Sequence, residues 1–212
     1  MQPGGQLPKW VREEILRSTP KERRDPAITE LTRGLSAFAD DRHRQALAAL
    51  RKAKGLAPRA PTIRELLGLS AYHSRAWEEA LRELRTFRRI TGDTTHMAVE
   101  MDTLRALGRD EDIDKTWDRF TELGGSRAAE DEIRVVYASH LLDRGRTADA
   151  WKIVKPGRLT VDAPESTLRI WAVAARVASE SGDRETARKL VDAIRKASPD
   201  VPWLPDVEQS IG

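Results

Sequence analysis

Apolar residues recur with helical spacing along most of the chain, most clearly between Ile63 and Ile90. The spacing predicts two helices that meet across a turn at residues 73–75. Gly68 on the first helix and Ala80 on the second are small, so the two backbones can approach closely. Trp77 and the leucines around these positions would then fill the seam between the helices.

The same pattern recurs at a nearly constant interval. Gly34 and Ala46 precede Gly68 and Ala80 by 34 residues in both cases. The position of Ala80 continues at Ile113, Ala150 and Ala187, so that the steps between equivalent residues are 34, 33, 37 and 37. A period near 34 residues, with two helices in each period, is typical of helical-repeat proteins.

This pattern resembles the tetratricopeptide repeat (TPR), which has Leu-Gly on its first helix and Ala followed by a large apolar residue on its second. The resemblance covers about residues 26–199 and points to a bacterial TPR-like helical-repeat protein. It implies an all-α fold, a right-handed superhelical solenoid of about five TPR-like helix-turn-helix hairpins. It also implies a non-enzymatic scaffold that binds a peptide or helix of a partner protein in a concave groove.

Prolines and glycines suggest the organisation of the chain. We expect residues 1–25 to form a leader, disordered over Met1–Pro8, with a capping helix after it. Residues 26–200 would form the repeat domain, starting at Pro26, and residues 201–212 a C-terminal capping segment. Lys155-Pro156-Gly157 should end one helix early, and Ser126 can cap the helix that follows it.

Local capping signals mark one helix start especially clearly. Pro61, Thr62 and Glu65 form a capping-box pattern, in which the Thr hydroxyl and the Glu carboxylate satisfy free amide groups. The sequence therefore predicts a helix that begins at Pro61 and caps itself.

The first hairpin carries more apolar surface than it can bury within itself. Its first helix has a second stripe, composed of Ile28, Leu31, Leu35 and Phe38. Residues 7–18 offer a matching stripe and could fold over it as a capping helix. A partner protein or a second copy of the chain is the alternative cover.

Reactive motifs are missing from the sequence. Cysteine is absent, which excludes disulfides, thiolate nucleophiles and Cys-based zinc sites. No Gly-x-Ser-x-Gly, phosphate-binding glycine loop or Ser-x-x-Lys motif occurs. His96 with Glu100, and His140 with Asp143, are each one turn apart, but two ligands do not make a metal site. We therefore predict no catalytic residues, no metal and no cofactor.

Charge is unevenly distributed and suggests an alternative function. Residues 1–94 carry a net charge of +7 and the remainder −4. Arg82, Arg85 and Arg89 align along one helix face and could contact nucleic acid. Interleaved glutamates and the lack of stacking aromatics favour an ordinary solvated face.

By the resemblance, the groove is lined by residues of the first helix of successive hairpins. These are Thr62, Glu65, Leu69, Tyr72, His73, Asp102, Arg105, Ser139, Leu142, Asp143, Arg169 and Arg176. The expected partner is a protein or peptide of unknown identity, with self-association as a further option; nucleic acid is less favoured. No signal peptide or long apolar run occurs, so we expect a cytoplasmic protein without membrane contact.

Overall fold

A computed structural model describes residues 7–211, which form twelve α-helices and no strand. In chain order they are α1 Lys9–Ser18, α2 Lys21–Ala39, α3 His43–Leu56, α4 Pro61–His73, α5 Trp77–Thr91, α6 Met97–Ala106, α7 Asp110–Leu123, α8 Arg127–Asp143, α9 Thr147–Val154, α10 Glu165–Glu180, α11 Arg184–Ala197 and α12 Leu204–Ile211. The prediction of an all-α fold is confirmed for this part of the chain. The helices form two compact units, with α1–α6 in the first and α7–α12 in the second.

The turns of the five predicted hairpins share one backbone feature. Each contains a residue with a left-handed φ: Asp41, Arg75, Gly108, Gly145 and Gly182. These five positions are separated by 34, 33, 37 and 37 residues, the same steps that the small second-helix residues show. The predicted repeat register is therefore confirmed by the backbone itself. The boundary between the two units follows directly after the third of these turns, between Arg109 and Asp110.

Within the first two hairpins, a glycine on one helix accommodates a leucine on the other. A Cβ atom added at Gly34 would lie 2.6 Å from Leu50 Cγ, and one added at Gly68 would lie 2.7 Å from Leu84 Cγ. Ala46 is also completely buried. These contacts let α2 pack on α3, and α4 on α5, at a distance that no larger side chain would allow.

We predict that Gly68→Ala destabilises the protein although alanine favours helices. The new methyl group overlaps Leu84, and its third neighbour is the backbone nitrogen of Leu84 at 3.2 Å, which a side-chain rotation cannot relieve. We expect a loss of about 1–3 kcal/mol in the free energy of unfolding, measured by urea denaturation.

The matched control is Gly55→Ala in α3, where no atom lies within 4 Å of the added methyl group. It should stabilise the protein by about 0.5–1 kcal/mol, because only the helix propensity changes. A Gly68→Ala variant as stable as Gly55→Ala would show that the two helices can separate without cost.

The start of the first hairpin differs from the prediction. Helix α2 begins at Lys21, not at Pro26, and Pro26 lies inside it. Pro20 precedes the first helical residue, where a proline costs no hydrogen bond. Pro26 removes the amide that would bond the carbonyl four residues earlier, and its ring crowds that carbonyl. Ala27 and Leu31, immediately downstream, are fully buried and hold the helix in place.

Helix α1 packs against the first hairpin with one apolar side. Leu7, Val11 and Ile15 are buried together with Leu31 of α2. Ile28, Leu35 and Phe38, the rest of the predicted stripe, are partly buried against the same core. Of the predicted leader, residues 1–6 lie outside the described part of the chain, whereas Leu7 belongs to the core.

Helix α4 begins at Pro61 as predicted, but the predicted capping box is wrong. The Thr62 amide donates to Glu14 Oε1 at 3.1 Å, and the Thr62 hydroxyl donates to Glu14 Oε2 at 2.8 Å. Glu65 instead contacts His96. Packing of α1 brings the Glu14 carboxylate to the start of α4, where the helix dipole and a free amide attract it. A carboxylate 48 residues away thus replaces the local cap.

The second unit is built around α10, which carries the fully buried Trp171. Helix α8 begins with the predicted cap, since Ser126 accepts a hydrogen bond from the Ala129 amide. Helix α9 ends at Val154, before Lys155-Pro156, as the sequence predicted. Leu204 and Val207 of the terminal helix α12 are buried as α12 packs against α10 and α11.

Buried carboxylates in both units are paired with cations. Glu83 of α5 is completely buried and contacts Lys54 of α3 at 3.1 Å and Arg64 of α4. Burial alone would raise the pKa of Glu83, but the hydrogen bonds from Arg64 and Lys54 outweigh it and hold the pKa below its usual value. Glu100 and Asp131 are likewise buried beside arginines. The pairs of Glu83 and Glu100 join neighbouring helices, whereas the arginines beside Asp131 lie on its own helix α8. Glu83 is therefore ionised near neutral pH.

We predict that Glu83→Gln destabilises the protein by about 3 kcal/mol, because it leaves two partly buried cations without a counter-charge. Glu78→Gln, on the exposed side of the same helix, should be nearly neutral. Thermal unfolding of the two variants measures the difference. Equal stability would mean that water stabilises the charges of Lys54 and Arg64 as well as the Glu83 carboxylate does.

Candidate functional site

The predicted groove residues of the first unit lie on α4 and α6, and several are brought into contact. We call Glu65, Leu69, Tyr72, Asp102 and Arg105 the α4–α6 face. The three α4 positions are three to four residues apart, so they follow one side of that helix. Each of the five is partly exposed. The face is therefore accessible to solvent in part.

Two polar links join α4 to the next first helix. At one end of the face, Glu65 Oε1 lies 2.8 Å from His96 Nε2, just before α6. At the other end, the Tyr72 hydroxyl donates to Asp102 Oδ2 at 2.6 Å, and Arg105 Nη1 donates to Asp102 Oδ1 at 2.9 Å. The links fix the spacing of α4 and α6. Leu69 lies between the two linked residues of α4, Glu65 and Tyr72.

The Tyr72 hydroxyl is held in its neutral, donating form. Burial raises its pKa, and the hydrogen bond to Asp102 raises it further. Its ring meets Trp77 edge-on, with centroids 5.6 Å apart. Asp102 and Arg105 keep 34% and 29% of their side chains exposed. This end of the face therefore combines a rigid aromatic ring with an accessible acceptor and an accessible cation.

His73, the remaining predicted groove residue of α4, belongs to an aromatic cluster. Its ring stacks on His43 with centroids 4.3 Å apart and planes at 15°, and both rings meet Phe38 edge-on. Partial burial, followed by the neighbouring His43, lowers the pKa of His73, against the opposing effect of Asp41. The stack is therefore favoured when His73 is neutral.

Acid should weaken this contact. Because the pKa of His73 is lowered in the folded protein, the unfolded chain binds the proton first as the pH falls below 6.5. The contribution of His73 to stability is thus complete above that pH and is lost below it. We expect the melting temperature to fall more between about pH 8 and about pH 5.5 in the wild type than in His73→Gln. An equal fall in both would assign the acid sensitivity to other groups.

Thr62 is not accessible in the same way. Only 8% of this residue is exposed, and Glu14 of α1 binds both its amide and its hydroxyl. Its place in the predicted groove is therefore already taken by another part of the chain.

The predicted groove residues of the second unit are more loosely related. Arg169 of α10 lies 3.6 Å from Glu132 of α8 and also pairs with Glu165. Ser139 donates to the Val135 carbonyl within α8, and Leu142 is partly buried. Asp143 and Arg176 are exposed. The Arg169–Glu132 pair joins two first helices, α10 and α8.

A pocket of about 510 Å³ opens in the second unit, beside the end of α7. Its lining includes Trp117, Phe120 and Arg134. Trp117 stacks on Tyr137 at 4.5 Å, and the Tyr137 hydroxyl donates to Asp114 at 2.8 Å. Burial, then that hydrogen bond, raises the pKa of Tyr137 to about 12. The Arg134 guanidinium is occupied by the Ile153 carbonyl at the end of α9. The guanidinium of Arg134 is thus already hydrogen-bonded within the protein.

Of the two histidine–carboxylate pairs considered from the sequence, His96 with Glu100 does not form. His96 contacts Glu65, whereas Glu100 is buried and binds Arg88 at 3.0 Å. His140 Nδ1 lies 3.9 Å from Asp110. No cluster of three metal-ligating side chains occurs among the described residues.

The arginine stripe is partly neutralised. Arg82 contacts Glu79 and the buried Glu83, and Arg85 lies 3.7 Å from Glu100. Arg89 is exposed. Two of the three cations therefore have carboxylate partners within the protein, which weakens the case for phosphate binding.

Sequence reasoning missed Glu14, His43 and His96 as parts of this region. Their partners Thr62, His73 and Glu65 are about thirty or more residues away. No local spacing signals such pairs. Only the helical pattern of residues 7–18 indicated that α1 would reach this side of the first hairpin.

Comparisons with known proteins identify the fold. No family model matches the chain, and no curated protein matches it. A solved structure does match: the crystal structure of YrrB, described as a TPR protein with an unusual peptide-binding site. The TM-score is 0.55 at 15% sequence identity, and the match covers 94% of this chain and 97% of that one. No helix within residues 7–211 is both long and apolar enough to cross a membrane. The chain has the TPR-like helical-repeat fold.

Proposed function

We propose that this protein is a non-enzymatic interaction scaffold whose α4–α6 face binds a peptide or helix of a partner protein. The observation that carries the proposal is the arrangement of Tyr72, Asp102 and Arg105 beside Leu69 on two adjacent first helices. An aromatic ring, an apolar side chain and both signs of charge are the usual components of a protein-binding surface.

The likeness to YrrB supports this proposal at the level of fold, since that protein is described as having a peptide-binding site. The partner of the present chain is then a protein or peptide whose identity the sequence does not specify. A cytoplasmic location and a bacterial source stay predictions from the sequence.

Binding of nucleic acid is the less favoured alternative. Its basis was the stripe Arg82, Arg85 and Arg89, of which the first two pair with glutamates. A phosphate would have to compete with those carboxylates, including the buried Glu83 and Glu100. A protein partner at the α4–α6 face meets no such competition for Leu69.

Peptide selection tests the proposed function without knowledge of the partner. A displayed random-peptide library is selected on the intact protein, and the enriched peptides are measured by fluorescence anisotropy. We expect Leu69→Asp and Arg105→Glu each to weaken binding by about tenfold or more, because they alter the centre and one end of the face.

Lys189→Glu on α11 is the matched control for Arg105→Glu. It makes the same change of charge at an exposed position in the second unit, and it should leave the affinity unchanged. Peptides that bind both Leu69→Asp and Arg105→Glu as tightly as the wild type would exclude the α4–α6 face as the binding surface.

A further inference from the structure

Helix α1 occupies the side of α4 that continues the α4–α6 face. Thr62, Glu65, Leu69 and Tyr72 follow one another at helical spacing along α4. Glu14 of α1 binds the first of these residues, and its carboxylate is close enough to Glu65 to be repelled by it. The α1 helix therefore covers the N-terminal part of the surface whose C-terminal part is open.

The contacts of α1 define which side chains fit the surface that it covers. Three apolar side chains spaced by four residues enter the core of the first unit: Val11 and Ile15 of α1, and Leu7 just before it. One carboxylate, Glu14, accepts two hydrogen bonds from Thr62 at the start of α4. A helix with an apolar stripe and an acidic residue directly before its third apolar position satisfies both requirements.

Several features make α1 a removable part of the first unit. Its covalent connection to α2 is the two-residue segment Thr19 and Pro20, and a proline at position 20 keeps the two helices separate. Its outer side is open, with Trp10 59% and Leu16 42% exposed. Large apolar residues on the outside of a short terminal helix are not required by its packing on the core.

The hydrogen bonds between Glu14 and Thr62 are offset by the burial of the Glu14 carboxylate. The cost of burying Glu14 exceeds what the two Thr62 hydrogen bonds return, so the pKa of Glu14 is raised. The nearby Glu65 acts in the same direction. An external helix that places its carboxylate at the same point would face the same cost, so this polar contact gives α1 no advantage over such a helix.

We propose that α1 is a displaceable internal ligand, and that the partner of this scaffold is an amphipathic helix that reproduces the pattern of Leu7, Val11, Glu14 and Ile15. The partner helix takes the place of α1 against α2 and α4 and extends along the α4–α6 face. This inference deepens the proposed function and rests on it, since it names the class of partner for the same side of the first unit.

The test uses the full chain with α1 weakened and a labelled peptide of residues 7–19 as the probe. Glu14→Lys replaces the acceptor by a cation at the positive end of α4, and Ile15→Asp places a charge in the apolar bed. Both variants should release α1 and bind the probe about tenfold or more tightly than the wild type does, measured by fluorescence anisotropy. Glu13→Lys, on the exposed side of α1, should bind the probe as weakly as the wild type.

The probe itself supplies a second comparison. A probe carrying Glu14→Lys should bind the Ile15→Asp chain about tenfold or more weakly than the unmodified probe, whereas a probe carrying Glu13→Lys should bind equally well. Circular dichroism establishes that each chain variant is folded.

Three results would overturn the proposal. The first is a folded Glu14→Lys chain that does not gain affinity for the probe, and the second is loss of folding in both chain variants, because α1 is then an inseparable part of the core. The third is a dimer that forms in both variants and excludes the probe, since a second copy would then be the occupant. In each case the proposed function still stands if the selected peptides lose affinity for Leu69→Asp and Arg105→Glu. Failure of this inference is therefore distinguishable from failure of the proposed function.

Discussion

Close approach of the two helices within a hairpin is the constraint on which the rest of the structure depends. At Gly34 and Gly68 there is no room for a methyl group, because Leu50 and Leu84 fill the space. This glycine–leucine contact, which we call the interlock, sets the distance between the paired helices. This distance brings the flanking apolar residues into one core. The same position recurs in the other hairpins, and in the third it is occupied by the buried Ile113 in place of a small residue.

Hydrogen-bonded carboxylates join helices that do not follow one another directly in the chain. Glu14 binds Thr62 at the start of α4, Glu65 binds His96 at the start of α6, and Asp131 accepts hydrogen bonds from Ser166 and Thr167 at the start of α10. In each case the carboxylate comes from a helix earlier in the chain, and the group that it binds lies near a helix N-terminus. The interlock thus builds the hairpins, and the carboxylates hold neighbouring hairpins in register.

The parts of the fold that were predictable are those set by local spacing. The five turns, the small residues at Gly68 and Ala80, and the start of α4 at Pro61 follow from patterns within one repeat. The candidate site was only partly predictable, because Tyr72 and Asp102 can be assigned to facing helices but their hydrogen bond cannot. The cap of α4 was predicted wrongly, since Glu14 lies 48 residues from Thr62 and no rule of local capping includes so distant an acceptor.

The carboxylate links have a consequence for modularity. A segment cut at the turns contains one complete hairpin, yet the acceptor for its first helix stays behind in the preceding segment, as Asp131 would for α10. The piece that can be duplicated, deleted or transplanted without loss is therefore not the hairpin. For α10 it would have to start at Asp131 of α8, because a cut at the turn separates this buried acid from Ser166 and Thr167.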